Sequence, residues 1–278
     1  MGVFVFATSL IFHNFYCSKN GRQNMCLILF SYNTHPDYRL ILAANRDEFY
    51  DRPTSALGFW DNAEHILAGR DLKSKGTWLG ISKNSRIAAV TNYRSPMAIK
   101  ENARSRGLLV SGCLAEKNLK SYLEHIKATG NHYSGFNLLA GNRTNLFWYS
   151  NMTTEIKEIK PGIYGLSNAL LDKSWPKVEK GRAEFKKLIA NKTRLNTEHI
   201  FRLLADRSVP RDHKLPDTGV GIEFERLLSS IFIKSKNYGT RSSSIILWKH
   251  TGAITFLERT FALNKQDQHI TKKFAFTV

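Results

Sequence analysis

The chain has 278 residues, 42% of them hydrophobic, which is enough to bury one large core or two small ones. A formal charge of +18 favours anionic ligands, but no basic run and no Arg/aromatic interleaving indicates specific nucleic-acid binding. The three cysteines, Cys17, Cys26 and Cys113, and the nine histidines lack metal-site and disulfide-framework spacings. We therefore expect no metal site, no transmembrane segment, and a cytoplasmic, reducing location.

The first 24 residues differ from the rest of the chain. Residues 3–12, "VFVFATSLIF", are apolar over about half a membrane span, with no basic residue before them and no A-x-A pattern after them. Two explanations stay open for residues 1–24: a removable leader, or an upstream start codon chosen in place of Met25, which we favour. We predict that residues 1–24 are disordered and that residues 25–278 form a single domain.

The first third after this segment reads as strands, because β-branched and aromatic runs alternate with polar turns. The runs are "CLILFSY", "YRLILAA", "HILAG", "TWLGIS" and "RIAAVTNY". Helical periodicity follows in "SRGLLVSGCLAE" and "LKSYLEHIKAT". Cys113 lies four residues after Leu109 on the first of these helices, so we predict a buried core thiol.

A second block of strands and helices completes the chain. Strands are predicted in "FNLLAGN", "NLFWYS", "EIKEI" and "GIYGLSNA", with hairpin turns at 142–144 and 151–153. Helices are predicted in "SWPKVEKGRAEFKKLIANK", capped by Ser174, then in "TEHIFRLLAD" and "FERLLSSIF". A loop over Arg207 to Gly221 precedes the last strands, "RSSSIILWK" and "ITFLERTF". This order lacks regular β-α alternation and favours a layered α+β sandwich.

Cys26 is the most reactive candidate if it begins the mature chain. It would then carry a thiol of pKa about 8.5 beside an α-amine of pKa about 7.7–8.0. The amine can accept the thiol proton, so no histidine base is needed, and a nearby arginine would favour the thiolate. Asp47, in "NRDEF", could hold the α-ammonium, although a salt-bridged strand exit is the ordinary alternative. Asn92 and Asn168 each end a strand-like run with an amide able to donate to an oxyanion.

Six segments in this order resemble the NRDE-motif family, also called transport and Golgi organisation 2-like proteins. They are "MCLILF", "LILAANRDEFYDRP", "GTWLGIS", "AAVTNY", "YGLSNALLD" and "YGTRSSSIIL". In that family the methionine-cysteine pair begins the protein, which favours a start at Met25. The family is similar in turn to N-terminal nucleophile hydrolases of the choloylglycine hydrolase and penicillin V acylase type. That similarity implies a four-layer αββα sandwich and amide-bond cleavage.

The resemblance also implies roles for individual residues. It assigns the nucleophile to Cys26, the amine-holding carboxylate to Asp47, the oxyanion positions to Asn92 and Asn168, and a late arginine to Arg241. Asn45 and Arg46 support the motif. The related hydrolases carry a further arginine two residues before the Asn-x-Asp step, where this chain has Ala43 or Ala44. Arg46 is the nearest guanidinium, and on a strand its side chain should point opposite to Asn45 and Asp47.

Two functions fit this resemblance. The first is a cysteine amidase acting on a non-peptide amide, which requires no cofactor. The second is non-enzymatic trafficking of haem or of an acyl-lipid or acyl-CoA ligand, since the family is linked to haem trafficking, lipid handling and Golgi organisation. The positive charge could pair with haem propionates or coenzyme phosphates. Four aromatic side chains could line an apolar pocket or simply fill the core: Trp60, Trp78, Trp148 and Phe136.

Overall fold

The computed structural model describes residues 26–190, 195–262 and 265–278. The predicted leader over residues 1–24, with Cys17 and Met25, lies outside these ranges. Thirteen strands and five α-helices occur within them. None of the helices in the described ranges is long and apolar enough to cross a membrane.

Two antiparallel sheets contain all thirteen strands. The first sheet has the order β3-β4-β5-β6-β7-β8-β9, with bounds β3 Thr54–Trp60, β4 Ala63–Asp71, β5 Leu79–Ser82, β6 Arg86–Asn92, β7 Phe136–Gly141, β8 Leu146–Ser150 and β9 Ile156–Glu158. The second has the order β10-β1-β2-β11-β12-β13, with bounds β1 Cys26–Tyr32, β2 Tyr38–Phe49, β10 Gly162–Leu166, β11 Tyr238–Lys249, β12 Ala253–Ala262 and β13 Lys265–Thr277.

Helices cover the outer face of each sheet. The helices are α1 Gly107–Ala115, α2 Leu119–Thr129, α3 Pro176–Ile189, α4 Thr197–Leu204 and α5 Ile222–Leu228. Short 3-10 turns occur at Pro96–Ala98, Gly130–His132 and Asp212–Lys214. Helices α1 and α2 pack on the first sheet, and α3 and α4 pack on the second.

Strand β1 shows why the layers form in this order. Ile28 and Phe30 point into the core between the two sheets, whereas Leu27 and Leu29 point toward α3 and α4. A strand that is buried on both faces reads as a continuous apolar run, which is the pattern of "CLILF". The helix–sheet–sheet–helix order confirms the predicted α+β class and the αββα sandwich.

Most predicted elements are confirmed, and the errors have local physical causes. Ser174 is not the cap of α3, because Trp175 occupies the N-cap position and its side chain makes no capping hydrogen bond. The last predicted helix ends at Leu228 rather than at Phe232. Cys113 is fully buried, as predicted.

Two strands, β3 and β13, are absent from the sequence prediction because they lie at sheet edges. Strand β13 is largely exposed and pairs with β12 through its backbone, so its sequence needs no apolar alternation. Strand β3 pairs irregularly with β4, with register shifts on either side of Gly58 and Phe59.

Candidate active site

The start of β1 and the end of β2 lie side by side in the interior of the second sheet, at one end of its strands. Cys26 is the cross-strand partner of Arg46, and Asp47 is the partner of Thr240 on β11. A register shift between Thr240 and Ser242 places a bulge at Arg241. The sheet therefore brings Cys26, Asp47 and the segment around Arg241 together from positions far apart in the chain.

The main-chain atoms of Cys26 are held by the segment that follows β10. Its nitrogen donates to Asn168 Oδ1 at 3.3 Å, and Ser167 Oγ donates to its carbonyl oxygen at 2.9 Å. Asn168 Nδ2 donates to the main-chain oxygen of Asn92 at 3.0 Å. In the chain as printed the Cys26 nitrogen belongs to the Met25–Cys26 peptide bond. In a chain beginning at Cys26 the same position would hold the α-amine.

The two predicted oxyanion residues occupy different places. Asn92 lines the large cleft that contains Cys26, whereas Asn168 lies fully buried behind it. Asn168 positions the Cys26 nitrogen through its carbonyl oxygen and engages Asn92 through its amide. An oxyanion role for these asparagines stays a prediction, and the observed contacts give Asn168 a positioning role.

Asp47 is a fully buried carboxylate with one satisfied oxygen. Its Oδ1 accepts a hydrogen bond of 2.6 Å from Thr240 Oγ1. Its Oδ2 is buried and has no hydrogen-bond partner among the described residues. Burial raises the pKa of Asp47 to about 7, although Lys177, Thr240 and Arg46 act in the opposite direction. An unpaired buried carboxylate oxygen is costly, and a cationic donor beside it would remove that cost.

The Cys26 thiol is protonated in this environment. Burial raises its pKa to about 12, and the neighbouring Asp47 carboxylate acts in the same direction. The main-chain N–H of Asp47, which donates to the sulfur, and the charge of Arg46 partly oppose this shift. A thiol of such high pKa is a weak nucleophile at neutral pH, so reactivity requires an additional positive charge or base near the sulfur.

Arg46 lies beside Cys26. As predicted, it points opposite to Asn45 and Asp47, but that face is also the face of Cys26 because the two residues are cross-strand partners. Asn45 turns toward the helical layer, where Nδ2 donates to the carbonyls of Leu204 and Ile231. Arg46 thus supplies a guanidinium group near the thiol. The related hydrolases are expected to supply theirs from the position where this chain has Ala43 or Ala44.

Arg46 is held in place by two polar contacts. Its Nη2 donates to Glu48 Oε2 at 3.3 Å, and its Nη1 donates to Thr54 Oγ1 at 3.3 Å. Both Arg46 and Glu48 are buried and line the cleft. Within the Asn45 to Glu48 motif, Asn45 contacts the helical layer and the other three residues line the cleft.

Arg241 lines the same cleft, but its observed contacts are structural. Its Nη1 donates to the carbonyls of Phe49, Tyr50 and Arg52 at 2.9, 3.3 and 3.1 Å. These bonds hold the turn that follows β2. The thiol polarisation predicted for Arg241 stays untested, whereas the charge of Arg46 acts on the thiol directly.

Two further cations near Cys26 were not predicted. Arg106, which precedes α1, donates from Nη1 to the Gly135 carbonyl at 3.0 Å, and burial lowers its pKa to about 10. Lys177, in the first turn of α3, has its pKa lowered by burial to about 8. Cys26 opposes the lowering in both cases. No local motif marks either residue, because distant segments bring them to the site.

A cleft of about 780 Å³ opens above Cys26. Eight basic and five acidic side chains line it: Arg46, Arg52, Arg70, Lys73, Lys100, Arg104, Arg106 and Arg241, against Asp47, Glu48, Asp71, Glu101 and Glu258. Its excess of positive charge favours anionic ligands. Among the described residues, no group of three or more His, Cys, Asp or Glu side chains is placed to hold a metal ion.

Of the four aromatic residues left open between an apolar pocket and the core, three lie in the core. Trp60 and Phe136 pack in the core under α1 and α2, and Trp148 packs between the sheets. Only Trp78 of the four lines the cleft. Aromatic content in the sequence could not separate these cases, because a strand residue faces core or cleft according to its position along the sheet.

Comparison with known proteins decides the family. A family model described as Transport and Golgi organisation 2 matches residues 25–263. The chain belongs to this family. The predicted resemblance is therefore confirmed, and the family's matched region begins at the methionine-cysteine pair.

Curated relatives of this family match nearly the whole chain. A transport and Golgi organization 2 homolog of Mus musculus is 35% identical over 275 residues, covering 91% of this chain and 99% of its own. The Homo sapiens homolog is 36% identical with the same coverage. The Drosophila melanogaster protein is 27% identical over 265 residues, covering 85% and 92%.

Among solved structures, a penicillin V acylase from Agrobacterium tumefaciens has a TM-score of 0.49 at 9% identity, covering 89% of this chain and 90% of its own. A Caenorhabditis elegans ortholog of N-acylethanolamine-hydrolyzing acid amidase has a TM-score of 0.44 at 9% identity, covering 80% and 92%.

Proposed function

We propose that this chain is a cysteine amidase whose nucleophile is Cys26 at the N-terminus of the mature protein. The main support is the unpartnered Oδ2 of Asp47, a buried acceptor next to a residue whose nitrogen already donates to Asn168. An α-amine at Cys26 would have two acceptors in its neighbourhood, Asn168 Oδ1 and Asp47 Oδ2. The same amine would supply the base that the thiol lacks in the uncleaved chain.

The reaction would proceed through a thioester. The neutral α-amine takes the thiol proton, directly or through a water, and the thiolate sulfur bonds to the amide carbonyl carbon. The resulting ammonium returns its proton to the leaving nitrogen as the C–N bond breaks, which releases the amine product. A water molecule then attacks the thioester with the amine as base, which releases the acid and restores the thiol.

The cleft favours a substrate that carries an anionic group. Its charge excess is positive, and Arg46 and Arg106 are both close enough to Cys26 to interact with its charge. Carboxylate and phosphate groups bind guanidinium groups through charge-assisted hydrogen bonds. We therefore propose a non-peptide amide with a carboxylate or phosphate as the substrate class.

A second function, non-enzymatic carriage of haem or an acyl-CoA-like ligand, is favoured by the basic cleft. The excess of basic residues in the cleft suits binding of propionates or phosphates, and in the uncleaved chain the thiol pKa of about 12 is unfavourable for catalysis. The relatives are named as transport and Golgi organization proteins, which is compatible with such a role.

Intact mass followed by turnover tests these proposals. The protein from its native gene should have the mass of a chain that begins at Cys26; retention of Met1 or Met25 would rule out the amine-assisted mechanism. Anionic acyl amides and their neutral counterparts would then be assayed for amine release. Replacing Cys26 with Ala should reduce turnover by on the order of 10³-fold or more, whereas Cys113→Ala, a matched change of a buried thiol, should preserve it.

Ligand titration separates the two functions. A stoichiometric shift of the haem Soret band, with no amide turnover by the mature chain, would support the carrier. Amide turnover that depends on Cys26 would support the amidase. Because ligand binding does not need the thiol, Cys26→Ala should leave haem titration unchanged if the carrier role is correct.

A further inference from the structure

Lys177 is a buried cation behind the proposed nucleophile. Only 4% of the residue is exposed, and its side chain does not line the cleft. Its Nζ donates to the Leu228 carbonyl at 3.0 Å. Burying an ammonium group costs free energy unless nearby negative charge compensates it. Because Lys177 lies outside the cleft, the negative charge that compensates its ammonium group must come from the protein itself.

Asp47 is that partner. It is the first of the charges that favour the protonated form of Lys177, followed by Cys26 and Glu225, while Arg94 acts against it. Glu225 already forms a buried ion pair of 3.0 Å with Arg94. Asp47, in contrast, has Oδ2 without a hydrogen-bond partner among the described residues. The main electrostatic interaction of the Lys177 ammonium group is therefore with the carboxylate of Asp47.

Asp47 connects the helical layer that carries Lys177 with the strand that carries Cys26. Asp47 shares a face of β2 with Asn45, whose amide contacts the helical layer, and Lys177 comes from that layer. The main-chain N–H of Asp47 donates to the Cys26 sulfur. A single aspartate therefore interacts electrostatically with both the buried ammonium group and the nucleophile.

We propose that Lys177 is a positioning residue that sets the pH range in which the Cys26 α-amine can act as a base. This inference rests on the proposed amidase function. The carboxylate of Asp47 alone would hold the amine as an ammonium, because a nearby negative charge favours the charged form of an amine. The positive charge of Lys177 offsets that effect, so the neutral amine that accepts the thiol proton is available near neutral pH.

Charged and titratable groups from four elements act on Lys177. They are Asp47 from β2, Cys26 from β1, Glu225 from α5 and Arg94 from the segment after β6. At Cys26 itself the neighbouring charges are Asp47, the Arg46–Glu48 ion pair and Arg106. Since Arg94 and Glu225 also compensate each other, removing the Lys177 charge leaves Asp47 less compensated beside the amine. The pKa of the amine should then rise, and the reactive range should move to higher pH.

The test measures the rate at which iodoacetamide alkylates Cys26 across pH 5 to 10, read by mass, in the mature protein from its native gene. Lys177→Met should move the midpoint upward by about one pH unit, which is the size expected for one nearby charge, and should slow alkylation about tenfold at pH 7. Lys177→Arg should keep the wild-type midpoint. Lys187→Met, at an exposed position on the same helix, is the matched control and should behave as wild type.

An unchanged midpoint in folded Lys177→Met would overturn the inference. If that variant fails to fold, Lys177→Arg decides, because a permanent positive charge that moves the midpoint upward contradicts the proposed role. Alkylation needs no substrate, so the two proposals fail separately: absent turnover with a moved midpoint refutes only the amidase. Turnover with an unmoved midpoint refutes only the role of Lys177. A mature chain that retains residues before Cys26 refutes both.

Discussion

Replacing Asp47 with Asn should stabilise the uncleaved chain at neutral pH. Asp47 is fully buried, and its pKa rises from 3.8 to about 7 mainly because burial disfavours the carboxylate. Between pH 4 and 7 the folded protein therefore binds more protons than the unfolded chain, and its stability falls as the pH rises. A shift of about 3 pH units corresponds to roughly 4 kcal/mol of unfolding free energy, lost by pH 8.

The asparagine side chain has nearly the same shape and can still accept the hydrogen bond of Thr240, but it carries no charge to bury. Asp47→Asn also removes the negative charge that compensates buried Lys177, so it should raise the unfolding free energy at pH 8 by less than about 4 kcal/mol and should have little effect at pH 4. Urea unfolding at pH 4, 5.5 and 8 measures the difference, with intact mass confirming that residues before Cys26 are present.

Asp71→Asn is a control of opposite sign. Although partial burial acts to raise it, hydrogen bonds from Arg52 and from the Ser74 main chain hold the pKa of Asp71 below its ordinary value. Asp71 thus contributes stability that is present at neutral pH and lost as the pH falls, so its replacement should destabilise the protein at pH 8. The reasoning is refuted if Asp47→Asn is no more stable than the wild-type protein at pH 8. It is also refuted if the wild-type protein and Asp47→Asn lose the same unfolding free energy between pH 4 and pH 7.

Three further variants test the packing around the site by urea or thermal unfolding. Arg94→Met leaves a buried carboxylate unpaired and should cost about 3–5 kcal/mol, while the same change at exposed Arg226 should be nearly silent; equal effects would contradict this. Gly76→Ala would place a Cβ 2.6 Å from a main-chain oxygen and should cost about 2 kcal/mol, whereas Gly58→Ala has no contact closer than 4.0 Å and should not. Arg241→Met removes three hydrogen bonds, but the carbonyls of Phe49 and Arg52 keep the Arg52 main-chain N–H and Thr54 Oγ1 as donors, so it should cost only about 1 kcal/mol. It should leave the Cys26 alkylation midpoint unchanged; a moved midpoint would show that Arg241 acts on the thiol.

Much of the architecture could be predicted because local patterns carry it. The continuous apolar run of β1 indicates a strand that is buried on both faces. The helical periodicity of "LKSYLEHIKAT" predicts α2 with the bounds that are observed. Edge strands escaped prediction. Strand β13 is satisfied by backbone pairing with β12 and is mostly exposed, so its polar sequence carries no burial signal.

The sequence alone determined the family, the layered α+β class, and the candidates Cys26 and Asp47, because these depend on ordered motifs and short-range periodicity. Only the tertiary structure decided which charges meet the thiol. Strand pairing places Arg46 next to Cys26. Packing of the helical layer on the sheet brings Lys177, which belongs to no recognisable motif, close enough to Asp47 to interact with its charge. The physical reason is that a pKa depends on burial and on charges across space, which strand register and layer packing fix and local sequence does not.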